Sequence, residues 1–204
     1  MKRHNWKTSY YSRRLKGVDY SKSGLYLITA NLKDRKQWFG KIIDNKMHLN
    51  NFGEIAEKEW LKTADIRTYV KLDEFIIMPN HIHGIIGITE NRPNKERMFR
   101  RPPVIKLSLK PHSISSIMAQ YKSIVTKLIR NSGLVEFDWQ YRFHDHVIRS
   151  QRELDNIRAY VRNNPRDWDR KEIQVPWKYQ SNYCVPMARN QDDLDCTVEG
   201  KKKL

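Results

Sequence analysis

Asn80-His81-Ile82-His83 closes a strand-like run, and Tyr160 and Asn164 stand one helical turn apart later in the chain. Side chains two apart on a strand leave from the same face, so His81 and His83 can offer nitrogens to one ion while Ile82 turns toward a core. Two imidazoles could then hold a metal against a phosphate while a phenol attacks it. Nitrogen pairs suit Zn, Mn, Fe or Ni better than Mg or Ca, so a hard ion needs an oxygen third ligand or the phosphate itself. The plainer alternative is two ordinary strand-end histidines, one exposed and one hydrogen-bonded. Cleavage of a phosphodiester by tyrosine requires a phenolate in line with phosphorus and a cation near the non-bridging oxygens. The ordinary phenol pKa is about 10, so a metal and a nearby Arg158 or Arg162 have to favour the phenolate.

Several elements must position these groups. Residues 25–32 form a strand by their β-branched and aromatic content, and 41–49 read as a hairpin turning at Asp44-Asn45-Lys46. Asn51-Phe52-Gly53-Glu54 resembles a capping box that opens a helix to about Thr63, with Ile55, Ala56, Trp60 and Leu61 inward. Residues 69–78 are a further strand, broken at Pro79-Asn80, and 81–89 are its partner, with Ile82, Gly84, Ile86 and Ile88 opposite the histidines. A basic connection over 91–112 contains an alternating stretch from Val104 to Leu109 that reads as a strand. The clearest helix spans 113–131, because Ile114, Ile117, Met118, Tyr121, Ile124, Val125, Leu128 and Ile129 keep a helical rhythm while Lys122, Lys127 and Arg130 mark its outer face. Tyr121 on that stripe reads as a core aromatic. Ser150-Gln151-Arg152-Glu153 caps a last helix with Leu154, Ile157 and Val161 inward and Tyr160 off the stripe, and Pro165 ends it near Asn163.

The net charge of +16 is unevenly spread. Lys and Arg outnumber Asp and Glu seven to one in residues 1–24 and ten to one in 91–130, whereas 25–90 is balanced. Clustered cations gain affinity for a polyanionic backbone through counterion release, so nucleic acid is the expected partner. Neither basic segment has the wide apolar face of a membrane-surface helix. No run reaches the length of a membrane span and the basic start lacks a signal-peptide core, so the chain reads as cytoplasmic and nucleoid-associated. Its two cysteines, Cys184 and Cys196, support neither a disulfide framework nor a thiolate zinc site.

Taken together, Pro79-Asn80-His81-Ile82-His83-Gly84, Trp139-Gln140 with Phe143, Asp145-His146-Val147-Ile148-Arg149 and Tyr160-Val161-x-x-Asn164-Pro165-x-x-Trp168 resemble the REP-associated tyrosine transposases, a branch of the single-tyrosine HUH transposases. Each piece is weak alone, whereas their order and spacing are specific. The resemblance implies a small α/β (α+β) fold with packed helices on a central antiparallel sheet of about four to five strands, like that of RNA-recognition-type domains. The resemblance covers 25–168, the HUH domain, whereas a basic arm over 1–24 and a C-terminal extension and tail over 169–204 lie outside the matched motifs. It further implies a metal-dependent single-stranded DNA endonuclease and strand transferase that cuts beside a DNA hairpin through a 5′-phosphotyrosine. In that reading Tyr160 is the nucleophile, His81 and His83 are metal ligands, and Asn164 is the third ligand where related transposases carry Gln. Mg or Mn is the implied ion, and Asp145 and His146 are candidates for orienting the site, their alternative being a structural hydrogen-bond pair. The protein would act as a monomer or homodimer.

Two further expectations concern DNA. Arg13, Arg14, Arg100, Arg101, Lys122, Lys127 and Arg130 are candidates to grip backbone phosphates, and Trp6, Tyr10 or Tyr11 to stack on unpaired bases. The competing readings are a binding module of the same fold that recognises structured DNA or RNA without cutting, and a metal hydrolase that uses water.

Overall fold

A computed structural model describes Asp19 and residues 21–90 and 109–168. The expectations for residues 1–18, for the connection at 91–108 and for 169–204 lie outside these, including Trp6, Tyr10, Tyr11, Arg13, Arg14, Arg100, Arg101 and both cysteines. Four strands make the central sheet: β1 (Gly24–Asn31), β4 (Val70–Met78), β5 (His81–Ile88) and β6 (His144–Ile148). Their order is β4-β5-β1-β6, and every pairing is antiparallel. The remaining strands, β2 (Gly40–Ile43) and β3 (Lys46–Leu49), form a separate hairpin. Its turn places Asp44 and Asn45 at φ 50° and 59°, the left-handed geometry that a two-residue hairpin loop requires.

Three helices complete the described architecture: α1 (Asn51–Asp65), α2 (Ile114–Asn131) and α3 (Gln151–Asn163). Each begins at a side-chain cap. For α1 the cap is Asn50, one residue earlier than expected; its carboxamide oxygen accepts from the amides of Phe52 and Gly53 at 3.0 Å. Ser113 and Ser150 cap α2 and α3 by accepting from Ser116 and Glu153. In α3 the expected reciprocal bond is altered. Glu153 reaches the amide of Arg149 rather than that of the cap residue.

The sheet has two unlike faces. Tyr26, Ile28, Ala30, Ile82, Ile86 and Ile88 look toward α1 and α2 and form the main core with Trp60, Ile117, Met118, Tyr121 and Val125. Gly84 lies among them because a Cβ there would run into the Trp60 indole. Trp60 meets Tyr121 edge-on at 5.3 Å, and the Tyr121 hydroxyl donates to the Ala56 carbonyl at 2.9 Å, making it a satisfied core aromatic. Burial pushes that phenol well above its ordinary pKa. Two inward assignments fail: Leu61 and Ile124 are 47 % and 38 % exposed. Both flank rather than centre their apolar stripes, where a helix curves away from the sheet.

The second face carries the odd-numbered residues of β1 and β5, and α3 lies over it through Leu154, Ile157 and Val161, all buried. No helix among the described residues is long and apolar enough to cross a membrane.

Candidate active site

His81 and His83 are the first and third residues of β5, and alternation sends both to the face under α3. Register places Thr29 of β1 opposite His83, and His144 of β6 opposite Thr29. The Thr29 hydroxyl lies 2.8 Å from His83 Nδ1, and the Asn80 carboxamide oxygen lies 2.7 Å from His81 Nδ1. Since that oxygen only accepts, His81 carries its proton on Nδ1 and its lone pair on Nε2. Thr29 can impose the same tautomer on His83, and such outer contacts are what orient imidazole ligands. The two rings stand 4.6 Å apart.

Tyr160 descends from α3 onto this pair. Its hydroxyl is 3.1 Å from His83 Nε2, and the two rings are 5.1 Å apart. Tyr160 sits between Ile157 and Val161 in sequence but off the line they share with Leu154, so the stripe that seats the helix also aims the phenol. Asn164, buried at the helix end, hydrogen-bonds the same phenol. After Pro165 the chain folds back on itself, with the amides of Arg166 and Asp167 donating to the Asn163 carbonyl. That turn stacks Trp168 on His81, with 6.1 Å between ring centroids and 19° between planes. Burial raises the Tyr160 pKa above its ordinary value, the Asn164 hydrogen bond opposes the rise, and the Asp167 carboxylate adds to it.

Comparison with known proteins bears on this arrangement. No family model matches the chain. An uncharacterized protein of Haemophilus influenzae is 34 % identical over 166 residues, spanning 80 % of this chain and 92 % of the relative. A second Haemophilus influenzae protein, named "Putative REP-associated tyrosine transposase", is 26 % identical over 163 residues, covering 80 % of this chain and 82 % of its own. In fold, the chain matches a REP-associated tyrosine transposase solved bound to a REP hairpin, with a TM-score of 0.52 at 20 % identity over 74 % of this chain and 72 % of that one. The chain is thus similar in sequence to a protein named as a REP-associated tyrosine transposase and in fold to a solved one. The similarity supports a function of the transposase kind, and the mixed α+β fold with a four-stranded antiparallel sheet matches that of the solved transposase.

Not every residue singled out in the sequence sits where spacing suggested. Arg158 and Arg162 do not support the phenol. The Arg158 guanidinium forks onto the Asp73 carboxylate at 2.8 and 2.6 Å, and Arg162 pairs with Glu74 at 3.1 Å. A bulge between Leu72 and Phe75 of β4 brings these two adjacent carboxylates to face α3. The Arg158 hydrogen bonds hold Asp73 below its ordinary pKa despite partial burial. Asp145 is paired in register with Ile28, on the α1–α2 side of the sheet, away from the histidines. His146 lies on the site's side of the sheet, but its Nε2 contacts Glu153 at 2.7 Å and so braces the start of α3.

On α2, Lys127 is exposed, whereas its two companions are engaged. Lys122 donates to the carbonyls of Gln140 and Arg142 at 2.7 and 3.0 Å, and burial pushes its ammonium down to about 8. Arg130 donates to the Phe137 carbonyl at 3.0 Å. Both cations pin the loop leading to β6. Thr29 and Trp168 had no assigned role in sequence. Along β1 the site face runs Leu25, Leu27, Thr29, Asn31, and this change from apolar to polar toward one strand end was the available signal for Thr29.

Proposed function

We propose that this protein is a metal-dependent single-stranded DNA endonuclease and strand transferase that cuts beside a hairpin, with Tyr160 as nucleophile. The observation that carries the reading is the 3.1 Å approach of the Tyr160 hydroxyl to His83 of its own chain, beside His81 and Asn164. In the step proposed, the phenolic oxygen bonds to the scissile phosphorus and the bond from phosphorus to the 3′ oxygen breaks. The product is a 5′-phosphotyrosine, and the phenol's proton ends on the departing 3′-hydroxyl. A phosphotyrosine keeps the energy of the broken bond, so a second strand can be joined without ATP. Recognition of a hairpin is an inference from the likeness to the hairpin-bound family member.

The donor set fits a divalent ion. Nδ1 of His81 is occupied by Asn80 and Nδ1 of His83 contacts Thr29, which favours Nε2 as the ligand atom on both. The oxygen ligand would be the carboxamide of Asn164, which is buried beside the Tyr160 phenol that His83 contacts. Mg or Mn becomes plausible chemistry once that oxygen and phosphate oxygens join the two nitrogens. When bound, the ion would supply the positive potential that the non-bridging oxygens and the phenolate need. The chain's own contribution is orientation. α3 holds the phenol at the histidine pair, and the Asn164 hydrogen bond favours the phenolate against burial and Asp167.

The test is a denaturing gel with a hairpin-bearing oligonucleotide in Mg or Mn. A covalent protein–DNA adduct is expected, absent in Tyr160→Phe and in the double variant His81→Ala, His83→Ala. An adduct that survives Tyr160→Phe overturns the nucleophile, and Tyr141 is tested next. Salt-sensitive binding without product would indicate a binding module, and a nick without adduct a water-using hydrolase.

A further inference from the structure

A cleft of about 570 Å³ opens between residues 32–35 and 138–141, at the end of the sheet where His81 begins β5. Its walls are tied together by the bridge between Leu32 and Trp139. Gln140 also donates to the Asn31 carbonyl at 2.9 Å, and Lys33 to that of Asp138 at 3.0 Å. The backbone around it is strained. Asp34, Arg35 and Arg142 hold φ 54°, 53° and 72°, left-handed values that side-chain-bearing residues rarely adopt. Such conformations gather at ligand clamps, where their surroundings over-determine them. At the lip, Tyr141 is 78 % exposed, and the Arg142 guanidinium lies 5.5 Å from its ring.

Resting on the function proposed above, we infer that this cleft receives one unpaired nucleobase of the single strand, stacked on Tyr141. Its charges select a base rather than a phosphate: Lys33 and Arg35 are balanced by Asp34 and Asp138, and Lys33 and Asp138 already pair at 3.5 Å. A wall that holds both donors and acceptors without net charge matches the polar edge of a neutral base, and the exposed ring matches its flat face. The cleft is also wired to the histidine pair. Asn80 donates its amide to the Arg35 carbonyl at 3.3 Å while its oxygen meets His81 Nδ1 at 2.7 Å. Asn31, whose carbonyl anchors Gln140, faces His81 in register. A base seated here sets which phosphate reaches Tyr160, and it therefore determines the cleavage position.

The test places 2-aminopurine singly at each unpaired position beside the hairpin and uses Tyr160→Phe protein so that the strand stays intact. One position is expected to change fluorescence on binding, to lose that change when Tyr141→Ala is added, and to regain it with Tyr141→Phe. Removing the base at that position should weaken binding roughly tenfold when the ring is present and hardly at all in Tyr141→Ala. An unchanged fluorescence pattern in Tyr141→Ala, or an equal penalty for base removal in both proteins, overturns the inference. If hairpin binding persists in that case, and protein that keeps Tyr160 still forms the adduct, the nuclease reading stands, whereas absence of any hairpin-strand binding removes both.

Discussion

Thr29 is a short polar side chain among apolar strand residues, and its 2.8 Å contact with His83 Nδ1 gives it a positioning role in the site proposed here. Thr29→Val keeps the shape and removes the hydroxyl. The adduct rate should fall roughly tenfold, since losing an outer contact to a ligand histidine commonly costs ten- to a hundredfold. Thr29→Ser should restore it, and circular dichroism should show an unchanged fold; a Thr29→Val protein of full activity would dismiss the role. Gly84 governs stability rather than chemistry. Gly84→Ala drives a methyl group into Trp60, and overpacking of this kind costs about 1–3 kcal/mol, measurable by urea denaturation. In sequence Asn80 stood out as part of a turn before the histidines and of the Pro79–Gly84 motif, without a contact of its own. Its two hydrogen bonds, to His81 and to the 33–35 turn, exist because the chain reverses there, and such pairs do not follow from spacing.

Among the elements, α3 is the one whose placement makes the site. Its apolar residues seat it, while Asp73 with Arg158, Glu74 with Arg162 and Glu153 with His146 fix its rotation over the sheet. Asp73→Asn should lower adduct yield several-fold while the solvent-screened pair itself contributes little to stability. Equal adduct yield in Asp73→Asn would show that apolar seating alone aims Tyr160. The pH sign follows from the depressed Asp73 pKa. Its contribution is fully present above the ordinary carboxylate value and is lost as pH falls through the lower folded value. Hydrogen exchange of α3 amides should therefore accelerate in acid before that of β1 and β5, and Asp73→Asn should flatten the difference. The cap signatures of α1 and α3 were legible, to within one residue for α1, because capping is a local bond between neighbours, whereas α2 was read from its apolar rhythm. The rotation of α3 was not. Arg158 and Arg162 flank Tyr160 in sequence and invite a role beside the phenol, yet a bulge in β4 supplies carboxylates that take both.

For the molecule as a whole, net charge of +16 predicts DNA binding that weakens steeply with salt, and Lys127→Ala should reduce the slope of log affinity against log salt by a little under one. Because Tyr160 already meets His83 of the same chain, mixing Tyr160→Phe protein with the His81→Ala, His83→Ala variant should yield no adduct. Recovery of adduct in the mixture would mean that tyrosine and histidines are exchanged between copies.

Local rules were enough to place the histidines on one strand face, Tyr160 off the buried stripe of the last helix and Tyr121 in the core, because strand alternation and helical periodicity act over a few residues. The match of ordered motifs carried the resemblance to the REP-associated tyrosine transposases as well. What the tertiary structure alone decided was convergence: how far Tyr160 stands from His83, which carboxylates hold α3, and that the Trp139-Gln140 segment pairs with the end of β1 to wall a cleft. Those contacts join residues far apart in the chain through strand register, a bulge and left-handed turns, and a one-residue change in any of them would re-aim every side chain beyond it.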